Sequence, residues 1–499
     1  MTNDIAPERA TINPRASRDR VARARRQAGD TPWLIGYDAN GIQSFITASG
    51  RPISMRGASA VIDTFDSAAK QQPHTVFAGG GRGLCLVGSE SEAKALAHKL
   101  TERYQRDTGH GVLATAWVPL DRGAEAASCR WLRHRLDIAK DEAPTPLPAL
   151  ATQRDLECSE CHRYRSTRTR ARRDVDGAVI EEPICQRCFV SSQRGRDAGR
   201  DGASARSEMS QSLQEIARRA DGSVGSIAAV SADGNELGAL FDSLDSLDAL
   251  ATISDLIAAL FTDAHERALA PIPAPQRLSL VIGGDDVRAY MAPGWLLDYV
   301  AELARGLEDS AAKAARALPA WVGGQATDLL ERVGIGVGAV VADVYFPAWR
   351  LMEYAHALEL HAKAKRADAR SVFDVAVMMS EAQVSAGMTH GRSERDRRPL
   401  ALDTASWQKT LAAADALAAV PSSQRSLLAT ADDVSEAEFA NLLRYQVARS
   451  PAWQAFFERC CVDWRDPDAV IAHRPDAGLL ELVRLRELAR KPTRQDQHS

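Results

Sequence analysis

Residues 278–291 read LSLVIGGDDVRAYM, a pattern that predicts two short strands joined by a tight turn. The turn falls at Gly283 and Gly284, and two adjacent carboxylates, Asp285 and Asp286, follow at the predicted tip. Gly and Asp are common turn residues, so an ordinary turn is the alternative explanation. Two like charges at one tip repel each other unless a positive charge lies between them, so the pair indicates a cation site.

A third carboxylate belongs with this hairpin. Asp233 follows the apolar run at residues 227–230 and precedes a helical pattern that includes Leu237. An acid that leaves one strand beside two acids on the next hairpin is how a palm-type nucleotidyl transferase holds two divalent cations. We therefore predict that Asp233, Asp285 and Asp286 are catalytic and bind Mg²⁺ or Mn²⁺.

The chain repeats this unit. One copy begins with WLIGYDANG at residues 33–41 and reaches TVFAGGGRGLCLV at residues 75–87, and a second begins at Ile227 and reaches its own hairpin at Gly283. Each copy has a strand, a helical stretch and two strands joined by a glycine turn. This order is typical of ferredoxin-like palm domains.

The two copies differ at the turn. Gly81 and Arg82 stand where the second copy has Asp285 and Asp286. We therefore expect the first palm domain to be degenerate, since it lacks the acids for two cations. It could still shape a nucleotide pocket, with Arg82 near phosphate.

Four of the eight cysteines form two pairs, each with a two-residue spacing. Such pairs present four thiolates tetrahedrally, so they predict a structural Zn²⁺ site. The predicted ligands are Cys158, Cys161, Cys185 and Cys188. Six arginines lie between the pairs, at 163–173, and two interpretations stay open: a loop that grips a nucleic-acid backbone, or a solvated loop balanced by Glu181 and Glu182.

The whole chain of 499 residues is predicted to be α+β, with two ferredoxin-like palm domains, an inserted zinc ribbon and a C-terminal helical bundle. The predicted segments are a flexible Arg-rich arm at 1–30, a first, degenerate palm at 31–150, the zinc ribbon at 151–205, a second palm at 206–382, a linker at 383–399, and a helical domain at 400–499.

The composition says more about where the protein is located than about what it does. The net charge of −4 gives no overall nucleic-acid signal. No apolar stretch approaches the length of a membrane span, and the N-terminus lacks a signal peptide's apolar segment. We therefore expect a cytoplasmic protein with no membrane partner.

In combination, several short motifs resemble one known family. They are DANGIQSFI at 38–46, MRGAS at 55–59, GGG at 79–81, the two cysteine pairs, DGNELG at 233–238, GGDD at 283–286, and Ala362-Lys363. Over about residues 31 to 380, the chain is similar to the large polymerase/cyclase subunit of type III CRISPR effector complexes.

This resemblance implies an activity and partners. It implies that cyclic oligoadenylates are made from ATP, in antiviral defence, when foreign RNA is sensed. It also implies a guide-RNA effector complex with small subunits. Many family members begin with an HD nuclease domain. Here thirty residues precede the first palm and no His-Asp doublet occurs, so we expect a short form without that domain, either stand-alone or within a complex.

Several residues are candidates for binding the nucleotide. Backbone N–H groups of Gly234 and Asn235, at the start of the predicted helix, would cradle the triphosphate. Ser231 or Asn235 could contact ribose or base, and Asn235 could instead be a helix cap. Gly283 and Gly284 would let base and ribose approach the hairpin backbone closely.

Two lysines are candidates for a phosphate contact. Lys363 would neutralise the β- or γ-phosphate, and Lys365 is the substitute for that role. They are two positions apart and so point in different directions on the predicted helix.

Two other functions remain open. One is a GGDEF-like cyclase that uses GTP, although Asp286 and Val287 do not reproduce that family's Asp-Glu-Phe arrangement. The other is a non-catalytic scaffold that only binds nucleotide, which would not need three convergent acids. Ring size and linkage of the product do not follow from the residues.

Overall fold

The computed structural model describes most of the chain: residues 14–49, 51–109, 111–143, 157–173, 178–198, 213–219, 222–378, 398–429, 436–473, 475 and 477–489. By contact density the chain divides into two compact units. Unit 1 comprises Met1–Leu213, Glu236–Ala289 and Gly306–Val333, and unit 2 comprises Gln214–Asn235, Tyr290–Arg305 and Gly334–Ser499. Within the described ranges, no helix is long and apolar enough to cross a membrane.

The N-terminal part of unit 1 alternates helices and strands. In chain order they are α1 (Pro14–Ala28), β1 (Trp33–Asn40), α2 (Ile42–Thr47), α3 (Pro52–Lys70), β2 (Thr75–Gly79), β3 (Arg82–Val87), α4 (Glu90–Thr108), β4 (Val112–Pro119) and α5 (Glu125–Glu142).

The four strands β1 to β4 form the first palm domain. Their order in the sheet is β2-β3-β1-β4, and β1 is antiparallel to both β3 and β4. This is the strand order of a ferredoxin-like fold and agrees with the sequence prediction. Asp38 near the end of β1 lies opposite Arg82 at the start of β3.

The prediction of a flexible arm is wrong for the described residues 14–28, which form helix α1. Helix α1 buries Val21 and Ala24 in a core that also contains Leu247 of the later helix α9. Two of its arginines are held by carboxylates: Arg20 Nη2 lies 2.6 Å from Asp255 Oδ2, and Arg25 Nη2 lies 2.8 Å from Glu125 Oε1. The Arg-rich composition suggested solvent exposure because a pattern of charges does not reveal partners far away in sequence. Residues 1–13 lie outside the described residues.

The second part of the chain, from residue 157 to 291, contains the predicted zinc ribbon and the second glycine hairpin. Its elements are β5 (Arg168–Arg173), β6 (Val179–Ile184), α6 (Gln186–Ala198), α7 (Leu213–Ile216), β7 (Ser226–Asn235), α8 (Leu237–Asp242), α9 (Leu247–Leu269), β8 (Arg277–Gly283) and β9 (Asp286–Met291).

The remaining elements lie mostly in unit 2. They are α10 (Leu296–Ala317), α11 (Gly324–Leu330), β10 (Gly334–Asp343), α12 (Ala348–Lys365), β11 (Val372–Val377), β12 (Leu400–Ala401), α13 (Thr404–Ala418), α14 (Ser422–Ala429), α15 (Glu436–Arg449), α16 (Pro451–Arg459), α17 (Pro467–Ala472) and α18 (Ala477–Ala489). Short 3₁₀ turns lie at Ala274–Gln276, Pro293–Trp295 and Ala320–Val322.

In unit 2, strands follow the order β12-β11-β10-β7. Strand β10 is antiparallel to β7 and parallel to β11, and α12 is the connection between the two parallel strands. Helix α12 lies so close to β10 that a Cβ added at Gly338 would be 2.1 Å from the carbonyl oxygen of Ala355. A glycine is therefore required at this crossing.

The C-terminal segment is helical, with one exception. Helix α16 buries Trp453, Phe456 and Phe457, which are at most 2% exposed. Strand β12 instead pairs with β11 through Leu400 and Ala401. The predicted linker at 383–399 falls almost entirely outside the described residues.

Candidate functional site

Asp233 and Lys363 are in direct contact in unit 2. Asp233 lies on β7 opposite Gly336 of β10. The Lys363 ammonium donates to Asp233 Oδ2 and to the carbonyl oxygen of Gly234, the latter at 2.9 Å. A Cβ at Gly336 would lie 2.3 Å from Lys363 Cγ, so this glycine makes room for the lysine stem. Lys365 is exposed.

The neighbours of Asp233 on β7 have more structural roles than the sequence suggested. Ser231 is fully buried, and its hydroxyl donates to Glu359 Oε2 at 2.6 Å. Gly234 and Asn235 pair with β10, so they end a strand and do not open a helix. This corrects the predicted helix-start cradle, because β7 is longer than the apolar run.

Asn235 is not the cap of α8. The residue before α8 is Glu236, at φ 65°, and no side chain caps the helix. Asn235 Nδ2 donates to the carbonyl oxygen of Arg370 at 2.8 Å, while its Oδ1 has no hydrogen-bond partner among the described residues. The amide oxygen of Asn235 could therefore still accept a hydrogen bond from ribose or base, as predicted.

The glycine hairpin in unit 1 forms as predicted, with its turn one residue later than expected. Strand β8 ends at Gly283 and β9 begins at Asp286, so Gly284 and Asp285 form the turn. Gly284 has φ +66°, a backbone conformation that favours glycine. The Asp286 side chain is 39% exposed, and its Oδ1 lies 3.9 Å from Nη2 of Arg288.

The two glycine hairpins of unit 1 touch each other. A Cβ added at Gly80 would lie 3.2 Å from the carbonyl carbon of Gly283. A side chain of α3 also fixes the first hairpin, because the N–H of Gly81 donates to Asp66 Oδ2 at 2.7 Å. Burial raises the pKa of Asp66 to about 7, although the hydrogen bond from Gly81 opposes this shift.

The first palm neutralises its acid with side chains. Asp38 Oδ2 lies 3.2 Å from Arg82 Nε and 2.5 Å from Lys140 Nζ. Two cations therefore surround the carboxylate that corresponds in the repeat to Asp233. This arrangement fits the predicted degeneracy of the first copy, and it shows what Arg82 contacts.

The four predicted zinc ligands come together in unit 1. Their Sγ atoms all lie within 4.8 Å of one another, and all four residues are buried. Strands β5 and β6 form an antiparallel hairpin between the two cysteine pairs. Four clustered thiols in a ribbon fit a closed tetrahedral Zn²⁺ site, with Cys158, Cys161, Cys185 and Cys188 as ligands.

The arginines between the cysteine pairs are partly structural. Arg170 is 8% exposed, and its guanidinium donates to Glu160 and Glu182 at 2.7 and 2.8 Å. Burial alone would raise the pKa of Glu182, yet Arg51 and Arg170 lower it to about 2. Arg163 and Arg165 are exposed. Strand β5 replaces much of the expected loop, and Glu160, which the sequence did not point to, joins Glu182 in pairing with Arg170.

Sequence reasoning missed two acid–histidine pairs in unit 2. Glu359 is 1% exposed and lies 3.1 Å from His356 Nδ1. Asp374 of β11 is fully buried and lies 2.7 Å from His361 Nδ1. The i, i+3 spacing of the first pair on a helix was the one available signal. The second pair joins α12 to β11, so no sequence spacing indicates it.

The architecture defines a protein with tandem palm domains and a four-cysteine ribbon. Residues 226–372 match the family described as Cas10/Cmr2, second palm domain. This stretch contains Asp233, the Gly283–Asp286 hairpin and Lys363. Residues 226–372 are thus similar to a Cas10/Cmr2 second palm domain, and the resemblance predicted from the sequence is confirmed.

Solved structures with the same fold can be aligned with almost the whole chain. A Csm1–Csm4 cassette in complex with cA4 matches 94% of this chain and 71% of its own, with TM-score 0.56 and 16% identity. Csm1 in T. onnurineus matches with TM-score 0.54, 16% identity and the same two coverages. A cassette in complex with AMPPNP has TM-score 0.50, 15% identity and coverages of 95% and 71%. Comparison with curated proteins finds no sequence match.

Proposed function

We propose that this protein is a nucleotidyl transferase that makes cyclic oligoadenylates from ATP in CRISPR type III-like antiviral defence. The observation that carries the proposal is the glycine hairpin with adjacent Asp285 and Asp286, in a chain whose Asp233 is contacted by Lys363. Three carboxylates and a lysine match what phosphoryl transfer needs, namely cation ligands and a phosphate contact.

The repeat supports the assignment of these acids. In the first copy, Asp38 stands opposite Arg82 across adjacent strands. Asp233 corresponds to Asp38, and Asp286 corresponds to Arg82. By this correspondence, the second copy has an acid at both of the positions where the first copy has one acid and one arginine.

The residues would then divide the reaction between them. Asp233, Asp285 and Asp286 would hold Mg²⁺ or Mn²⁺, which when bound supplies charge neutralisation and activation of the attacking 3′-hydroxyl. Lys363 would contact the β- or γ-phosphate of ATP. The Asn235 amide oxygen would accept a hydrogen bond from ribose or base, and the bare backbone of Gly283 and Gly284 would let the nucleotide approach closely.

Solved structures with the same fold support the proposal that the substrate is an adenine nucleotide and that the protein has a partner subunit. Three of them are Csm1–Csm4 cassettes in complex with cA4, cA3 and AMPPNP. We extend these properties to this chain: ATP as substrate, a Csm4-like subunit as a neighbour, and RNA as the activating signal. The exposed Arg163 and Arg165 are candidates for an RNA backbone contact.

Labelled ATP and GTP, offered separately with Mg²⁺ or Mn²⁺, test the substrate. We expect cyclic products from ATP and little from GTP. Equal use of GTP would favour the GGDEF-like cyclase, and no product from either nucleotide, with or without RNA, would favour the non-catalytic scaffold. Adding RNA across a salt series tests the trigger, since stimulation through phosphate contacts weakens as salt rises. Full activity without RNA would leave a stand-alone synthase.

A further inference from the structure

Arg288 is an unusual residue for the middle of a strand. It lies on β9 and is 2% exposed, between Val287 and Ala289, which are both fully buried. Its Nε and Nη2 have no hydrogen-bond partner in the part of the chain that the structure describes. The Asp286 carboxylate is close but beyond hydrogen-bond distance, with its Oδ1 3.9 Å from Nη2.

A buried guanidinium with unmade hydrogen bonds is unfavourable. Removing such a charge from water costs several kcal/mol unless partners replace the water. Arg170 shows how this chain builds a purely structural buried arginine: its two arms donate to Glu160 and Glu182 at 2.7 and 2.8 Å. Arg288 lacks such a pair, so fold stability does not explain it.

The placement of Arg288 relative to the hairpin offers an explanation. Side chains two residues apart on a strand share a face, so Arg288 lies directly behind Asp286, on the same side of β9. A guanidinium has five donors in a rigid plane and is suited to fixing the orientation of a carboxylate. The Arg288 guanidinium thus lies beside one of the two adjacent carboxylates of the hairpin, the one at Asp286.

We infer that Arg288 is a positioning residue that orients the Asp286 carboxylate at the hairpin for divalent cation binding. This inference rests on the proposed function of the hairpin acids. Arg288 touches neither nucleotide nor cation in this role, since it is enclosed behind Asp286. Its buried, poorly paired charge lowers the stability of the fold and is retained for the geometry of the acid pair.

The test compares Arg288→Met, which keeps an unbranched side chain without the charge, with Arg288→Lys, which keeps the charge. Three quantities are measured on the full chain: the melting temperature without added metal, the affinity for Mn²⁺ by calorimetry, and product formation from ATP. Thr252→Val is the matched control, because Thr252 is also fully buried with an unpaired Oγ1 but lies on α9, away from the hairpin acids in sequence.

For Arg288→Met we expect an unchanged or higher melting temperature together with an affinity for Mn²⁺ about 10- to 100-fold weaker. Arg288→Lys should recover part of the affinity, and Thr252→Val should keep all of it. A lower melting temperature with unchanged Mn²⁺ affinity would make Arg288 a structural residue and overturn the inference. Wild-type protein that binds Mn²⁺ but makes no product would refute the proposed function alone, because the Mn²⁺ arm still tests Arg288.

Discussion

Lys363 is the residue that we propose to contact the phosphates of ATP. Its ammonium contacts Asp233 and the carbonyl oxygen of Gly234, whereas Lys365, two residues later on α12, is exposed. We expect Lys363→Ala to lower kcat/KM for ATP by roughly 100-fold, the scale of losing one charged group at a reacting phosphate. Lys365→Ala is the control and should stay near wild type. Equal losses from both changes would assign the phosphate contact to Lys365 as well.

Asp66 gives the stability of the fold a distinctive pH dependence. Burial raises its pKa from an ordinary value of 3.8 to about 7 in the folded protein. The folded state therefore holds a proton that the unfolded state releases, so stability is greatest below about pH 4 for this group and is lost as pH rises through 7. Asp66→Asn should remove a pH-dependent change on the order of 1 to 4 kcal/mol.

Chemical unfolding at a series of pH values measures this effect. The amide oxygen of Asn can still accept from the Gly81 N–H, so the first hairpin should be kept. Asp30→Asn, at an exposed position, is the control. If Asp66→Asn and wild type show the same decline in unfolding free energy between pH 4 and 7, the buried carboxyl does not carry a proton at neutral pH.

At the scale of single residues, the sequence was enough to predict the candidate cation ligands and the candidate phosphate contact. Asp285 and Asp286 stood out because adjacent acids at a turn have no structural benefit, and Lys363 because lysine is rare in this chain. Glu359 and Arg288 could not be found in this way. Their roles depend on burial and on which atoms lie opposite them, and a single charged residue in an apolar pattern does not reveal either.

At the scale of elements, the contact between the two glycine hairpins makes a sharp prediction. Gly80 has φ +64° and abuts Gly283, while Gly29 has φ +66° and nothing within 4 Å of an added Cβ. Both Gly→Ala changes should cost about 1 kcal/mol of backbone strain. Only Gly80→Ala should also displace the hairpin that carries the acids and lower product formation. A similar loss of activity in Gly29→Ala would show that strain alone explains the effect.

The ribbon should contain one zinc ion per chain. The four clustered thiols match a closed tetrahedral site, which stabilises its own segment and leaves no position for substrate. Elemental analysis of purified protein should give a stoichiometry near one, falling towards zero in Cys185→Ser. Cys460→Ser, at a half-buried cysteine outside the cluster, should keep the metal. Metal-replete protein with four free thiols in the ribbon would refute the site.

Periodicity predicted elements well where a segment buries one face and poorly where charge dominates. The strands at Ile227 and Gly334, the α12 helix after Pro347 and the second hairpin all carry strong apolar patterns. Helix α1 and strand β5 are rich in arginine and were interpreted as an arm and a loop. Their partners, such as Asp255 for Arg20 and Glu160 for Arg170, are supplied by other elements and cannot be recognised locally.

At the scale of the whole molecule, the repeat was the most useful signal. It predicted two ferredoxin-like copies, and the first shows the β2-β3-β1-β4 order while residues 226–372 match a Cas10/Cmr2 second palm domain. The difference between the copies is chemical. Asp38 is surrounded by Arg82 and Lys140, whereas the second hairpin presents two acids, so we propose that only the second copy binds divalent cations.

The most direct measurement of the central claim is product formation from ATP by the double variant Asp285→Ala, Asp286→Ala, assayed with Mg²⁺ or Mn²⁺ beside wild type. Both acids lie at a hairpin turn where their charges repel, so the variant should keep its melting temperature and its zinc content. The account predicts that a folded double variant forms no cyclic product above background. Product formation near the wild-type rate by that folded variant would contradict it.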